Sequence, residues 1–422
     1  MKKVIKNSVI ALLLLVGVNM NAQKNNRSLD NYREPDKGGI NVFEAPKDTI
    51  STFDGVKVRI GGSSTLQFQS IEHENSGAVE LNKIGSNFNL ATANLDLDVA
   101  LFDGVRMHLR TYLSSRHHPE PYVKGGYFQI DKLEFIKPGF MEDIMKYTTI
   151  KIGHMENNYG DAHFRRSDNA QAIYNPFVGN LIMDAFTTEV GAEVYYRRSG
   201  FIGMVGISNG KLNQSVSNPN SSGASFLAKL GYDKQLNDDL RVRLTGSVYN
   251  TGQVPTSYLY SADRAGSRYY FVMEPVGASS AGNFTSGRYN PALGNQITAF
   301  MFNPFVKYKG LEFFGTIEQS KGKGNAELEK RTAKQFASEL IYRFGNDENF
   351  FLGARYNKVD AEDRSGSDID IERVQVGAGW FMTRNILVKA EYVNQKYNGY
   401  DTTSIFNAGK FNGLMAEAVI SF

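Results

Sequence analysis

The sequence predicts an all-β protein: a transmembrane antiparallel up-and-down β-barrel of about sixteen strands, with long extracellular loops and short periplasmic turns. Three observations point there. Gaps between strand-like segments alternate long and short along the chain, the short ones reading Phe102-Asp103-Gly104, Ser199-Gly200, Asn237-Asp238-Asp239, Lys309-Gly310 and Thr383-Arg384-Asn385. The segments alternate apolar and polar residues with a period of two, and the chain closes on an aromatic residue, Phe422. Alternating loop lengths place the two ends of each hairpin in different compartments, and a closed barrel is one of only two ways a chain satisfies its backbone in lipid.

In chain order, residues 1–22 read as a secretory signal. Lys2, Lys3 and Lys6 form a positive start, Ile10 to Val18 is an apolar run too short to span a bilayer as a helix, and Ala22 is a small residue suited to cleavage before Gln23. Residues 23–55 show no periodicity and carry Asn25, Asn26, Asp30, Glu34, Pro35, Gly38 and Gly39. They read as a polar periplasmic extension, with a short plug as the other reading.

The barrel is expected over residues 56–422. Leu95, Leu97, Val99 and Leu101 alternate with Asn94, Asp96, Asp98 and Ala100; Val105, Met107 and Leu109 alternate with Arg106, His108 and Arg110; Leu240, Val242 and Leu244 alternate with Arg241, Arg243 and Thr245. A charge on a lipid face costs about 2–4 kcal/mol at the midplane, so the charged face must look inward. Lys151, Glu189 and Glu193 fall on the same face of their segments and complete the expected pore lining. An interior of both signs calls for water, and about sixteen strands enclose a lumen wide enough for it. A soluble β-sandwich would not need the alternation of loop lengths. Two segments are irregular. Phe128 to Phe135 slips phase near Asp131, implying a bulge or a strand end, and Pro304 in Phe302-Asn303-Pro304-Phe305 implies a bulge or a rim position.

Composition agrees. Phe 28 and Tyr 22 suit twisted strands and interfacial girdles, and with no cysteine, ladder closure rather than disulfides must hold the exported chain. The formal charge of +3 comes from the three lysines of the signal, so the remainder is formally neutral and a nucleic-acid partner is not expected.

The segment from Glu156 to Ala185 carries the most chemistry. It joins the fifth and sixth expected strands, is long for a loop without its own strand, and mixes aromatics with charges. It is expected to fold inward as a constriction formed by Glu156, Asp161, His163, Arg165, Arg166 and Asp168, with the two arginines facing the acids. The loop from Asn250 to Ile297, with Arg264, Arg268, Tyr269 and Arg288, reads as an outer cap or a solute-binding vestibule. No catalytic residues are expected, since no Gly-x-Ser-x-Gly elbow occurs. No metal and no cofactor are expected, since His117-His118 has no third ligand at a zinc spacing.

The stretch Leu95-Asp96-Leu97-Asp98-Val99-Ala100-Leu101-Phe102-Asp103-Gly104-Val105, the run Ile150-Lys151-Ile152-Gly153-His154-Met155 and the strand ending at Phe422 resemble outer-membrane porins, above all the phosphate-selective porin O/P family and its general-porin relatives. The resemblance covers about residues 56–422. It implies sixteen strands, a third loop constricting the pore, a homotrimer, and recognition of Phe422 by the barrel-assembly machinery. Phosphate specificity does not carry over, because Asp96, Asp98, Glu189, Glu193, Glu312 and Glu391 interrupt any basic ladder. The sequence therefore leads to a water-filled channel for passive diffusion of small hydrophilic solutes and inorganic ions, with a mild anion preference. Outer-membrane lipid and lipopolysaccharide would surround it. The alternative is a non-conducting barrel whose extracellular loops bind a partner or glycan.

Overall fold

A computed structural model describes residues 27–114, 121–166, 172–209, 223–254, 256–261 and 268–422. The expected signal, His117, His118, Arg264 and Asp168 lie outside the described residues. Sixteen antiparallel strands close into one barrel. They are β1 (Lys57–Glu74), β2 (Asn87–Phe102), β3 (Val105–Ser114), β4 (Tyr122–Ile130), β5 (Thr148–Glu156), β6 (Thr188–Arg198), β7 (Phe201–Ser208) and β8 (Ser225–Gln235). Then follow β9 (Leu240–Thr251), β10 (Gln296–Tyr308), β11 (Leu311–Lys323), β12 (Arg331–Phe344), β13 (Phe350–Glu362), β14 (Asp368–Thr383), β15 (Ile386–Asn398) and β16 (Lys410–Ser421). Each strand pairs with its sequence neighbours, and β16 returns to β1. At the seam Phe422 and Gly62 exchange two backbone hydrogen bonds of 3.0 Å.

Tight turns fix the register where they occur. Ser199 and Gly200 link β6 to β7 with φ of 53° and 93°, the doubly positive backbone of a type I′ turn that matches strand twist. The β4–β5 connection departs from the expected short turn. β4 ends at Ile130, and residues 131–147 carry a short helix, Glu142–Met145. That strand end accounts for the phase slip at Asp131. Pro304 sits inside β10, neither at a bulge nor at a rim, and its register with β9 is unbroken. Asn303 Nδ2 donates to the Gly315 carbonyl at 3.0 Å, so the interrupted rung keeps a hydrogen bond. A Cβ at Gly315 would lie 2.8 Å from the proline ring, which makes glycine the residue that fits opposite.

The outer face is apolar, carrying Ile60, Leu95, Val205, Leu230, Phe302, Ile317, Phe336 and Leu414. Aromatics gather at the turn end, with Phe201 5.3 Å from Tyr232 and Phe350 stacked 5.7 Å from Trp380. Exposed apolar side chains between aromatic rims are what a lipid-facing belt requires.

The inner face is not uniformly polar. Toward the loop end, Met301, Val359, Ile371, Val393 and Met415 point inward and pack with Val178, Ile182, Leu259 and Val272 of the third and fifth long loops. Toward the turn end the face is charged. There residues 27–56, expected as a periplasmic extension, lie across the mouth and bond to its wall. Tyr32 Oη donates to Asp98 at 2.9 Å, Asn41 Nδ2 to Glu312 at 2.7 Å, and Ser421 Oγ to the Pro35 carbonyl at 2.6 Å. Phe43 is buried between Phe305 and Phe314 of the wall, its ring 5.3 Å from that of Phe305. The described part of this segment thus packs against the wall.

Candidate functional site: the lumen and its third loop

The pore-lining candidates share the inner face. Period-two alternation on β2 and β3, with Asp96 opposite Arg110 and Asp98 opposite His108, turns sequence spacing into cross-strand pairs. Arg110 donates through Nε and Nη2 to the two Asp96 oxygens at 2.7 Å each. His108 Nδ1 lies 2.8 Å from Asp98 Oδ1, and Arg106 and Arg59 approach the same carboxylate at 3.7 and 3.5 Å. Arg241 is held by Asp233 at 2.9 and 2.7 Å. Arg243 is held by Glu44 and Asp161 together, at 2.7–2.9 Å. Glu189 accepts from the Tyr249 hydroxyl at 3.1 Å, and Glu193 from the Asn158 amide at 2.9 Å. Lys151 lies over the rings of Tyr127 and Tyr195 at 5.6 and 5.3 Å.

The described parts of the third long loop, residues 157–166 and 172–187, fold into the barrel and lie along the inner wall from β8 to β15. Lys229 of β8 and Arg243 and Thr245 of β9 bond to Asp161. The Val178 amide donates to Glu391 at 2.7 Å, the Ile182 amide to Asn357 at 2.7 Å, and the Met183 amide to Gln335 at 2.9 Å. Lys389 Nζ donates to the carbonyls of Ala172, Asn175 and Phe177 at 2.9–3.1 Å. A loop backbone inside a barrel needs donors and acceptors from the wall, and these side chains supply them.

The expected pairing within the loop is different in detail. Arg165 does not face Asp161 or Glu156. It bonds to Glu312 and Glu339 of the wall at 2.7 and 3.1 Å and is 3 % exposed. Arg166 pairs with Asp184 inside the loop at 2.5 Å and lies over the Phe186 ring at 4.0 Å. Asp161 is consumed by Lys229 and Arg243. Among the described residues of the constriction set, His163 and Glu156 meet as a pair, at 3.5 Å. The arginines and Asp161 thus anchor the loop, because burial without a counter-charge is far costlier than pairing. Burial opposes ionisation of Asp184, but the guanidinium of Arg166 outweighs it and holds the carboxyl below its usual range. Burial lowers the His163 imidazole pKa, with Glu156 opposing only in part, so the ring is neutral near pH 7.

With the loop anchored on the β8–β15 side, space remains on the other. A cavity of about 130 Å³ lies between β2–β6, the start of the third loop and the N-terminal segment, lined among others by Arg106, His108, Arg110, Lys151, Glu156 and His163. Seven expected site residues, Asp98 among them, are therefore brought together. Asp161, Arg165 and Arg166 of the loop and Arg241 and Arg243 of the wall lie outside it. Sequence reasoning missed Tyr32, Arg33 and Phe43, which close the cavity from the N-terminal side. The signal was Tyr32 and Phe43, two of the three aromatics in residues 23–55. Lys124 and Tyr174 were missed too, and no period or motif marks them.

Among solved structures, the chain is similar to the anion-selective porin from Comamonas acidovorans, with 11% identity and a TM-score of 0.54 over 87% of this chain and 100% of that one. It is similar to OmpT, an outer membrane protein of Vibrio cholerae in its trimer form, with 13% identity and a TM-score of 0.53 over 87% and 100%. It is similar to the outer membrane channel DcaP of Acinetobacter baumannii, with 12% identity and a TM-score of 0.50 over 88% and 99%. The chain shares their barrel fold. No family model matches the sequence, and no curated protein does. The closed barrel excludes the β-sandwich, and its sixteen strands agree with the number expected from the sequence.

Proposed function

We propose that the protein is an outer-membrane channel through which small hydrophilic solutes and ions diffuse passively, with a mild preference for anions. The observation that carries this reading is the inward third loop. It leaves a charged cavity on one side of a sealed barrel whose outer face is apolar. Glu156 and His163 would narrow the passage there, Arg106, Arg110 and Lys151 would favour anions, and Asp161, Arg165 and Arg166 would hold the loop in place. The names of an anion-selective porin and an outer membrane channel among the similar structures support it. A homotrimer in a bilayer containing lipopolysaccharide, and recognition of Phe422 by the assembly machinery, belong to the same reading.

Residues 27–56 across the turn-end mouth favour a low resting conductance. In planar bilayers the full chain should give small ohmic steps, and a variant lacking residues 27–52 should give steps at least threefold larger. Reversal potentials in a salt gradient should show an anion preference that Lys151→Glu reduces. Silence from both correctly folded proteins would leave the partner-binding barrel as the better reading.

A further inference from the structure

The cavity beside β2–β6 has a charge balance of its own. Five cations line it, Arg33, Arg106, Arg110, Lys124 and Lys151, against the acids Asp98 and Glu156. Adding Asp96, which Arg110 holds, still leaves two cations in excess, histidines aside. Arg106 and Arg110 are committed to wall partners. Lys151 and Arg33 are not held by carboxylates: among the described residues neither has an ion pair. The Lys151 ammonium lies only over aromatic rings. Arg33 donates to the carbonyls of Gly39 and Phe164, at 3.0 Å each, and stacks 3.8 Å above the Tyr174 ring.

We infer that this cavity binds a small carboxylate, held between Lys151 of the wall and Arg33 of the N-terminal segment. The inference deepens the channel reading and rests on it. The volume of about 130 Å³ is slightly below that of a cavity of about 150 Å³ that admits benzene, so the ligand has roughly six heavy atoms. The rings of Tyr32, Tyr127, Tyr174 and Phe164 give the cavity flat apolar sides. A planar carboxylate can lie against such faces while its oxygens meet a fork and a point charge. A tetrahedral phosphate is suited instead by a nest of backbone N–H groups, which these side-chain walls do not provide. Because Arg33 is carried by the segment across the mouth, ligand binding and docking of that segment favour each other.

The test is calorimetry on the full chain folded in detergent, with pyruvate as the planar carboxylate, glycerol as a neutral molecule of equal size, and inorganic phosphate as the competing anion. Pyruvate should saturate one site, glycerol none, and phosphate should bind at least tenfold more weakly. Lys151→Met and Arg33→Met should each weaken pyruvate about tenfold, the effect of losing one charge-assisted hydrogen bond. Arg33→Lys should weaken pyruvate less than Arg33→Met does, because the charge is kept while the fork and the stacking on Tyr174 are lost. Heat-modifiable gel mobility selects folded variants, and Lys151→Gln replaces Lys151→Met should the latter not fold. Absence of saturation by pyruvate, equal or tighter phosphate binding, or unchanged affinity in the folded Lys151 variant would overturn the inference. Channel steps without pyruvate saturation would overturn it and leave the channel reading standing. Pyruvate saturation without steps in any variant would uphold the site and remove the channel reading.

Discussion

At the scale of single residues, the lumen is a set of buried charges that depend on their partners. Asp96 and Arg110 are 2 % and 7 % exposed and share two hydrogen bonds. Removing one partner strands the other in a poorly solvated place. Arg110→Met should therefore cost about 3–5 kcal/mol. Urea unfolding of the refolded protein would measure this as a lowered midpoint. Adding Asp96→Asn should recover most of the loss, and a double mutant as unstable as the single would show that the pair is not the cause. Both residues and their pairing were legible in the sequence, because alternation on adjacent hairpin strands fixes which side chains face each other. The partners of Arg165 were not legible. Glu312 and Glu339 lie far along the chain, and only the folded barrel brings them to the loop.

At the scale of elements, the N-terminal segment is docked on the wall through an aromatic anchor. Phe43 is 2 % exposed among Phe305, Phe314 and Phe164, and Glu44 beside it joins Arg243. Truncating a buried phenylalanine costs about 3–5 kcal/mol. Phe43→Ala should undock the segment without opening the barrel. Limited trypsin digestion should then cut after Arg33, Lys37 or Lys47 at least tenfold faster than in the wild type, while the barrel fragment stays intact. Unchanged cutting would mean that the ion pairs alone hold the segment. This segment shows where sequence reading stops. Its polar composition and lack of period describe a loop truthfully, but a loop's position comes from the wall it lands on. Strands were read well because their register is local. β4 was misjudged past Ile130 because the apolar residues Leu133, Phe135 and Ile136 continue beyond the strand.

At the scale of the whole molecule, two surfaces with opposite requirements share one ladder. The outer belt must stay apolar, and the inner face must satisfy three inserted segments. Ile317 lies in the middle of β11, between Phe302 and Phe336 on the neighbouring strands, and is 52 % exposed on the outside. Ile317→Arg should destabilise the protein refolded in vesicles by about 2–4 kcal/mol. Leu328→Arg, in a loop at 90 % exposure, should change stability by no more than about 0.5 kcal/mol. Denaturant titration in lipid compares them, and equal effects would argue against a lipid-facing belt. Sixteen strands and a closed topology were legible in the sequence. The apolar packing inside the loop end was not, since Ile369 and Ile371 point inward on the strand whose Val374 and Val376 point outward. Both faces of that strand read alike.

The partners of the N-terminal segment also set an order of events. Tyr32 needs Asp98 of β2, Glu44 needs Arg243 of β9, Asp36 needs Arg384 beside β15, and Pro35 needs Ser421 at the end of β16. Such partners stand together only once the last strand has met the first. The stretch that leads the barrel out of the ribosome must therefore wait through the whole of assembly. It takes its place last, and its docking reports that the ring is complete.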